Sequence, residues 1–279
     1  MSQQIDIVIP VYNGMPFIRE AVESCLTQSA AGLTITVIDN ASTDGTWEWL
    51  TTVAQRDNRI NLLRNSTNIG MGPNIRRCLQ NIKAERFSFL CADDKLFSKN
   101  SLAIASAIMD ANPSVGVVYS DMAYVDARGR VIWRRRSARS GPFSSREVGW
   151  KSILEGRNLF GIPILTKTAL LAEVQFEESL TYAGDVDFAI RIGMLCTSWH
   201  HPDFLIANRY HDRNATKNLH RLAREQFLAI AKRNGYHLTT LDFFRMSASC
   251  TKTWILKILF LYYAAFRAAA YSALAKAAS

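Results

Sequence analysis

The sequence is as informative in what it lacks as in what it contains. Its five cysteines, Cys25, Cys78, Cys91, Cys196 and Cys250, are scattered, odd in number and without a CxxC pair. That argues against a disulfide framework or a thiolate zinc site and suits a reducing compartment. There is no internal repeat and no low-complexity tract. Nothing at the start combines a basic segment with an apolar one. Met1-Ser2-Gln3-Gln4 runs straight into a strand, so no secretory leader is expected and the sequons at Asn40 and Asn214 are read as chance. A glycine-rich basic phosphate loop is missing after the first strand, which speaks against a sugar nucleotidyltransferase. Gly70-Met71-Gly72 has Ile75 where a dinucleotide fingerprint needs its third glycine, which speaks against an oxidoreductase.

What is present is a chain of 279 residues, 48% hydrophobic and 20% charged, long enough for one large domain or a domain with an appendage. The formal charge of +9 points to an anionic partner such as nucleotide phosphates, a lipid phosphate or an acidic membrane face.

Four strand-turn-helix units open the chain. Ile5-Asp6-Ile7-Val8-Ile9-Pro10-Val11 is nearly continuous in apolar character, as a parallel strand covered on both faces should be. Leu33–Ile38, Ile60–Leu63 and Phe87–Leu90 are the next three strands, each followed by apolar residues at helical spacing. Such repetition predicts right-handed crossovers and a parallel sheet. Each strand ends in a polar, turn-forming cluster: Tyr12-Asn13, Asp39-Asn40, Asn68 and Asp93-Asp94. A parallel sheet brings all four out along one edge, where open α/β sheets bind ligands. Any one cluster is also explained by turn and cap chemistry, and Asp93 or Asp94 could simply cap the next helix. Together, with two adjacent acids that a divalent cation would relieve of their repulsion, they fit a nucleotide-diphosphate and metal site.

In order, Pro10-Val11-Tyr12-Asn13, Asp39 to Thr46, Asn68-Ile69-Gly70 and Ala92-Asp93-Asp94 closely resemble the signature of family 2 glycosyltransferases of the GT-A fold, over roughly the first 215 residues. The resemblance implies a Rossmann-like α/β fold with a mainly parallel sheet flanked by helices, and an inverting, metal-dependent transferase. It implies that Pro10, Tyr12 and Asn13 line the nucleotide pocket, and that Asp39 accepts from the N–H of a uracil- or thymine-like base. Asn68 and Gly70 would lie beside the nucleoside, and Asp93, assisted by Asp94, would hold Mg²⁺ or Mn²⁺ against the donor diphosphate. The family's first acid of that motif is Cys91 here, which weakens any ribose contact at that position.

Downstream, Gly184-Asp185-Val186-Asp187 with Arg191 resembles the family's Glu-Asp-x-Asp-x-x-x-Arg segment, and matching it makes Asp185 the catalytic base, with Gly184 in place of the preceding Glu. Asp187 would start a helix and pair with Arg191 one turn on. Taken without the family, the same acids could merely complement a helix dipole. Arg209-Tyr210-His211 resembles the closing Tyr-Arg-x-His segment, which places His211 at the metal or diphosphate. Val115–Asp121 reads as a further strand and Asp126–Arg130 as a hairpin turn. The basic run Trp133–Arg139 is either a solvated loop or an acceptor-side element meeting a lipid diphosphate or anionic headgroups; lacking regularly interleaved aromatics, it is a weak nucleic-acid footprint, and no nucleic acid is expected.

We expect a catalytic domain over residues 1–218 and a helical extension over 219–279. In the extension, Trp254 to Arg267 is strongly apolar, but Lys257 and Arg267 leave it short of the roughly 20 residues of a spanning helix. Residues 252–276 are read as contacting a membrane surface, a second copy of the chain or the catalytic domain itself. The expected protein is cytoplasmic, peripheral on the inner membrane face, and transfers a sugar from a UDP- or dTDP-sugar to a glycan or lipid-linked acceptor. A catalytically silent scaffold is the reading from another class, kept open by Cys91 and Gly184.

Overall fold

The computed structural model describes residues 4–211 and 222–249. In chain order the elements are β1 (Ile5–Val11), α1 (Phe17–Leu26), β2 (Leu33–Asp39), α2 (Thr46–Ala54), β3 (Ile60–Arg64), α3 (Met71–Gln80) and β4 (Arg86–Phe89). There follow β5 (Lys95–Leu96), α4 (Ser101–Ala111), β6 (Val115–Val125), β7 (Val131–Arg135), β8 (Gly141–Phe143) and α5 (Ser145–Glu155). The last are β9 (Pro163–Lys167), a 3₁₀ turn (Thr168–Ala172), α6 (Gly184–Gly193), β10 (Thr197–Arg209) and α7 (Ala223–Arg233). Residues 240–249 are also helical.

One sheet of ten strands carries the molecule, in the order β3-β2-β1-β4-β9-β6-β10-β5, with β7 on β6 and β8 on β10. The first four strands are parallel, as the repeated units predict. Beyond them β9 runs antiparallel between β4 and β6, while β10 returns parallel to β6. This half was only partly foreseen. The middle of β10, His200-His201-Pro202-Asp203, is polar and its pairing with β6 shifts register three times, so no alternation marks it as a strand.

The sheet is covered on both faces, and β1 shows how. Ile5, Ile7, Ile9 and Val11 enter the largest core with Ile18, Val22 and Cys25 of α1. Val8 points the other way, to Ile38, Phe87 and Cys78 of α3. That is the two-residue period of a strand, with each buried aliphatic side chain contributing about 1.5–3 kcal/mol. A further core joins β6 to α5, α6 and α7, so Ala223, Phe227, Ile230 and Met246 pack with Val117, Tyr119 and Val186. The chain leaves β3 on one side of β1 and re-enters as β4 on the other. Neighbouring strands whose crossovers diverge open a crevice at their carboxyl ends. Here those ends are Tyr12-Asn13 and Cys91 to Asp94. Among the described residues no helix is long and apolar enough to cross a membrane; residues 252–276 lie outside them.

Candidate active site

The loops after β1, β2 and β3 are laced together by side chains. Asn13 adopts a left-handed φ of 51°. Its backbone N–H donates to Ser42 Oγ at 2.8 Å, and its Oδ1 accepts from Thr43 N at 2.9 Å. Asn40 is a four-way tie. Its Nδ2 donates to Asn68 Oδ1 at 2.8 Å and to the Gly70 carbonyl at 3.2 Å, while its Oδ1 accepts from Asn65 Nδ2 at 2.7 Å and Ile69 N at 3.0 Å. Gly70, at φ 92° and ψ 165°, holds a conformation costly for any other residue and starts α3. Tyr12, by contrast, is half-exposed at 49%, and Ile69 and Met71 also present apolar surface, which suits a planar base.

Asp39 is wholly buried. Its carboxylate accepts from Ser42 N at 3.2 Å and pairs with Arg64 Nε at 3.0 Å, and the Arg64 guanidinium lies 4.9 Å from the Trp47 ring centroid. A base reaching Asp39 meets Arg64 as well. Pro10 lies within β1 beside Ile38, one step before this edge.

The acidic pair is gripped by the end of β10. Asp94 turns inward: its Oδ1 accepts from Arg209 N at 2.9 Å, and Asn208 Nδ2 lies 3.2 Å from each of its oxygens. Burial, with Asp93 alongside, holds its carboxyl well above the usual range. Arg209, only 1% exposed, donates from Nε to the Asp93 carbonyl at 2.8 Å and from Nη1 to the Asp126 carbonyl at 2.9 Å, and pairs with Glu20. Next to it, His211 Nε2 is 2.9 Å from Asp93 Oδ2, with its ring 4.4 Å from that of Phe17. Cys91 is exposed to solvent. Its thiol is pushed well up by desolvation and by Asp94, Asp93 and Asp185.

Ligand atoms of Cys91, Asp93 and Asp94 lie within 4.8 Å of one another. Two carboxylates with an imidazole beside them are a donor set suited to Mg²⁺ or Mn²⁺, leaving positions for phosphate oxygens and water. The protonated thiol adds little to a hard cation.

Asp185 is exposed in the first turn of α6. Asn158 Nδ2 donates to Asp185 Oδ2 at 2.7 Å, and Val186 N donates to Oδ1 at 2.9 Å. Asn158 is itself fixed, its Oδ1 accepting from Phe160 N and Gly161 N at 2.8 and 3.1 Å. Asp187 is buried with its 2.7 Å partner Arg191, the pairing expected one turn on. At Gly184 the room for a side chain is gone, since a Cβ would stand 2.9 Å from Phe176 Cζ. The basic run is largely exposed, with Trp133 at 49%, yet several of its side chains are engaged. Trp133 stacks on Tyr124 at 5.0 Å, Arg134 and Arg136 lie over Phe204, and Arg135 and Arg139 reach the 158–159 backbone.

Asn40 and Arg209 stand in stretches singled out above but without a role of their own, and Arg64, Asn158 and Asn208 are not marked by the sequence reading. Asn158 sits in a turn cluster between Gly156 and Gly161, the one local signal among them.

Comparison with known proteins agrees with this architecture. The model of glycosyl transferase family 2 matches residues 6–172, more than half of the chain. An uncharacterized glycosyltransferase of Rickettsia typhi is 26% identical over 218 residues, covering 77% of this chain and 66% of the relative. Another from Rickettsia bellii is 24% identical over 216 residues, covering 77% of this chain but 31% of the relative. The chain thus spans about one to two thirds of the length of these relatives. Among solved structures, S. aureus TarS 1-349 in complex with UDP-GlcNAc superimposes with a TM-score of 0.64 at 20% identity, over 80% of this chain and 66% of that one. The mannosyltransferase PcManGT from Pyrobaculum calidifontis, in complex with GDP-Man and Mn²⁺, gives 0.61 at 20% identity, over 98% and 76%. The fold is therefore that of GT-A glycosyltransferases, a mostly parallel sheet flanked by helices. The chain belongs to glycosyl transferase family 2.

Proposed function

We propose that the protein is an inverting glycosyltransferase that moves a sugar from a nucleotide-diphosphate donor, a UDP- or dTDP-sugar, to a hydroxyl of a glycan or lipid-linked acceptor in surface polysaccharide or glycoconjugate synthesis. The observation that carries this reading is that Asp93, bonded to His211, and Asp185, held by Asn158, both lie near enough to Cys91 to act on its thiol. Asp93, Asp94 and His211 would hold Mg²⁺ or Mn²⁺, which when bound neutralises charge developing on the leaving diphosphate. Tyr12, Asn13, Asn68 and Gly70 border the nucleoside, with Asp39 and Arg64 at the base. Asp185 takes the proton of the acceptor hydroxyl as that oxygen attacks the anomeric carbon from the face opposite the diphosphate. The new glycosidic bond forms as the bond to the phosphate oxygen breaks, and the configuration inverts.

The test begins with calorimetric titration of UDP, dTDP, GDP and ADP, each with and without Mn²⁺. One pyrimidine diphosphate should bind tightly, and less so without metal or in Asp93→Ala. Binding of none would sink the transferase reading in favour of a silent scaffold, and tight binding of GDP or ADP would overturn the role given to Asp39. With a donor in hand, Asp185→Asn should retain nucleotide binding and lose turnover by about 100-fold or more.

A further inference from the structure

The basic run divides by alternation. Arg134 and Arg136 cover Phe204, and Arg136 comes within 4.0 Å of Asp121. Arg135 and Arg139 turn the other way and converge on one carbonyl, that of Leu159, at 3.1 and 2.7 Å, with Arg135 also donating to the Asn158 carbonyl at 3.3 Å. Two guanidiniums are thus held side by side. Among the described residues neither has a carboxylate within ion-pair distance. Asp121, the acid nearest to hand, is engaged by His200 Nε2 at 2.9 Å and Ser137 N at 2.7 Å. Arg139 Nε is buried with no hydrogen-bond partner. Crowded, partly desolvated like charges with unused donors are costly unless an anion joins them, and a phosphate matches the guanidinium fork.

We propose that Arg135 and Arg139 form a subsite for a phosphate group carried by the acceptor, beside the hydroxyl that Asp185 deprotonates. This rests on the transferase reading above. The Asn158-Leu159 backbone that the arginines grip also carries the side chain that holds Asp185, so the subsite and the residue that positions the base are neighbours in one loop. The donor diphosphate belongs on the Asp93–His211 side, which leaves this pair for the acceptor. A neutral sugar hydroxyl alone would not compensate two positive charges.

The test uses the full chain saturated with UDP and Mg²⁺, so that the donor phosphates are already in place, and titrates inorganic phosphate by calorimetry. Phosphate should bind one site, about ten-fold or more weakly in Arg135→Gln or Arg139→Gln and unchanged in Lys151→Gln, an exposed residue of α5. Absence of phosphate binding, or binding indifferent to both arginine changes, overturns the subsite. Because both arginines also tie down a loop, a readout without variants stands beside this. Phenylglyoxal labelling mapped by peptide mass spectrometry should be suppressed by phosphate at Arg135 and Arg139 but not at Arg128, and equal labelling overturns the proposal. Competition then identifies the source. Displacement by glycerol 1-phosphate marks a soluble polyol phosphate, displacement only by phosphatidylcholine vesicles containing phosphatidic acid marks a lipid-borne one, and displacement by neither overturns the subsite. If UDP itself fails to bind, the transferase reading falls, while phosphate titration of the nucleotide-free protein still reports on the arginine pair.

Discussion

At the scale of single residues, position 91 and position 184 show how a departure from a family pattern can be accommodated. Cys91 keeps a neutral thiol where a third carboxylate would have joined Asp93 and Asp94, which lessens the repulsion at a site already rich in negative charge. Gly184 leaves its space to the Phe176 ring, so the missing Glu is replaced by apolar packing rather than by a void. The Asn158 side-chain amide helps to aim the carboxylate of Asp185. Asn158→Ala should therefore lower kcat about ten-fold while leaving the donor KM close to wild type, since it disturbs the base and not the nucleotide side. Steady-state kinetics with saturating acceptor separates the two parameters, and a change confined to KM would remove Asn158 from this role.

At the scale of elements, α6 has to present Asp185 outward while burying its next acid. Asp187 makes this work: it pairs with Arg191 at 2.7 Å and with Arg233 of α7 at 3.4 Å, and accepts from Asn234 Nδ2 at 3.0 Å. One buried carboxylate therefore ties α6 to α7. Asp187→Ala would leave two guanidiniums and an amide without it, at a cost of about 3 kcal/mol measured by urea unfolding. On the proposed function the same variant should still bind nucleotide at temperatures where it is folded, because the loops proposed to hold the donor, after β1, β2 and β3, lie on the far half of the sheet.

At the scale of the whole molecule, the segment before α6 is clasped to α7 by Glu177 and Arg233. Hydrogen bonds from Ser179 and Arg233 hold the Glu177 carboxyl down at about 2, below its ordinary 4.5. A depressed native value adds stability that is present above the unfolded value and is lost as pH falls from 4.5 towards 2. Glu177→Gln should flatten that window of the acid-unfolding curve, by under about 1 kcal/mol because the pair is solvent-screened. An unaltered acid limb would assign the acid sensitivity to other carboxylates.

Across these scales, what could be read directly was local. Continuous apolar runs marked β1 to β4 because both faces of a parallel strand are covered, and polar clusters marked their ends because chain reversal there needs turn residues. Strand polarity then puts Asn13, Asp39, Asn68 and Asp93 on one edge. The tertiary structure decided what is nonlocal. That β10 inserts beside β6, that Asn208 and Arg209 grip Asp94 from 114 and 115 positions away, and that two arginines of a basic run reach the Asn158-Leu159 loop that holds Asp185 all depend on contacts between distant segments. Side-chain period and composition carry no record of such partners. Only burial and hydrogen-bond satisfaction in the folded chain select them.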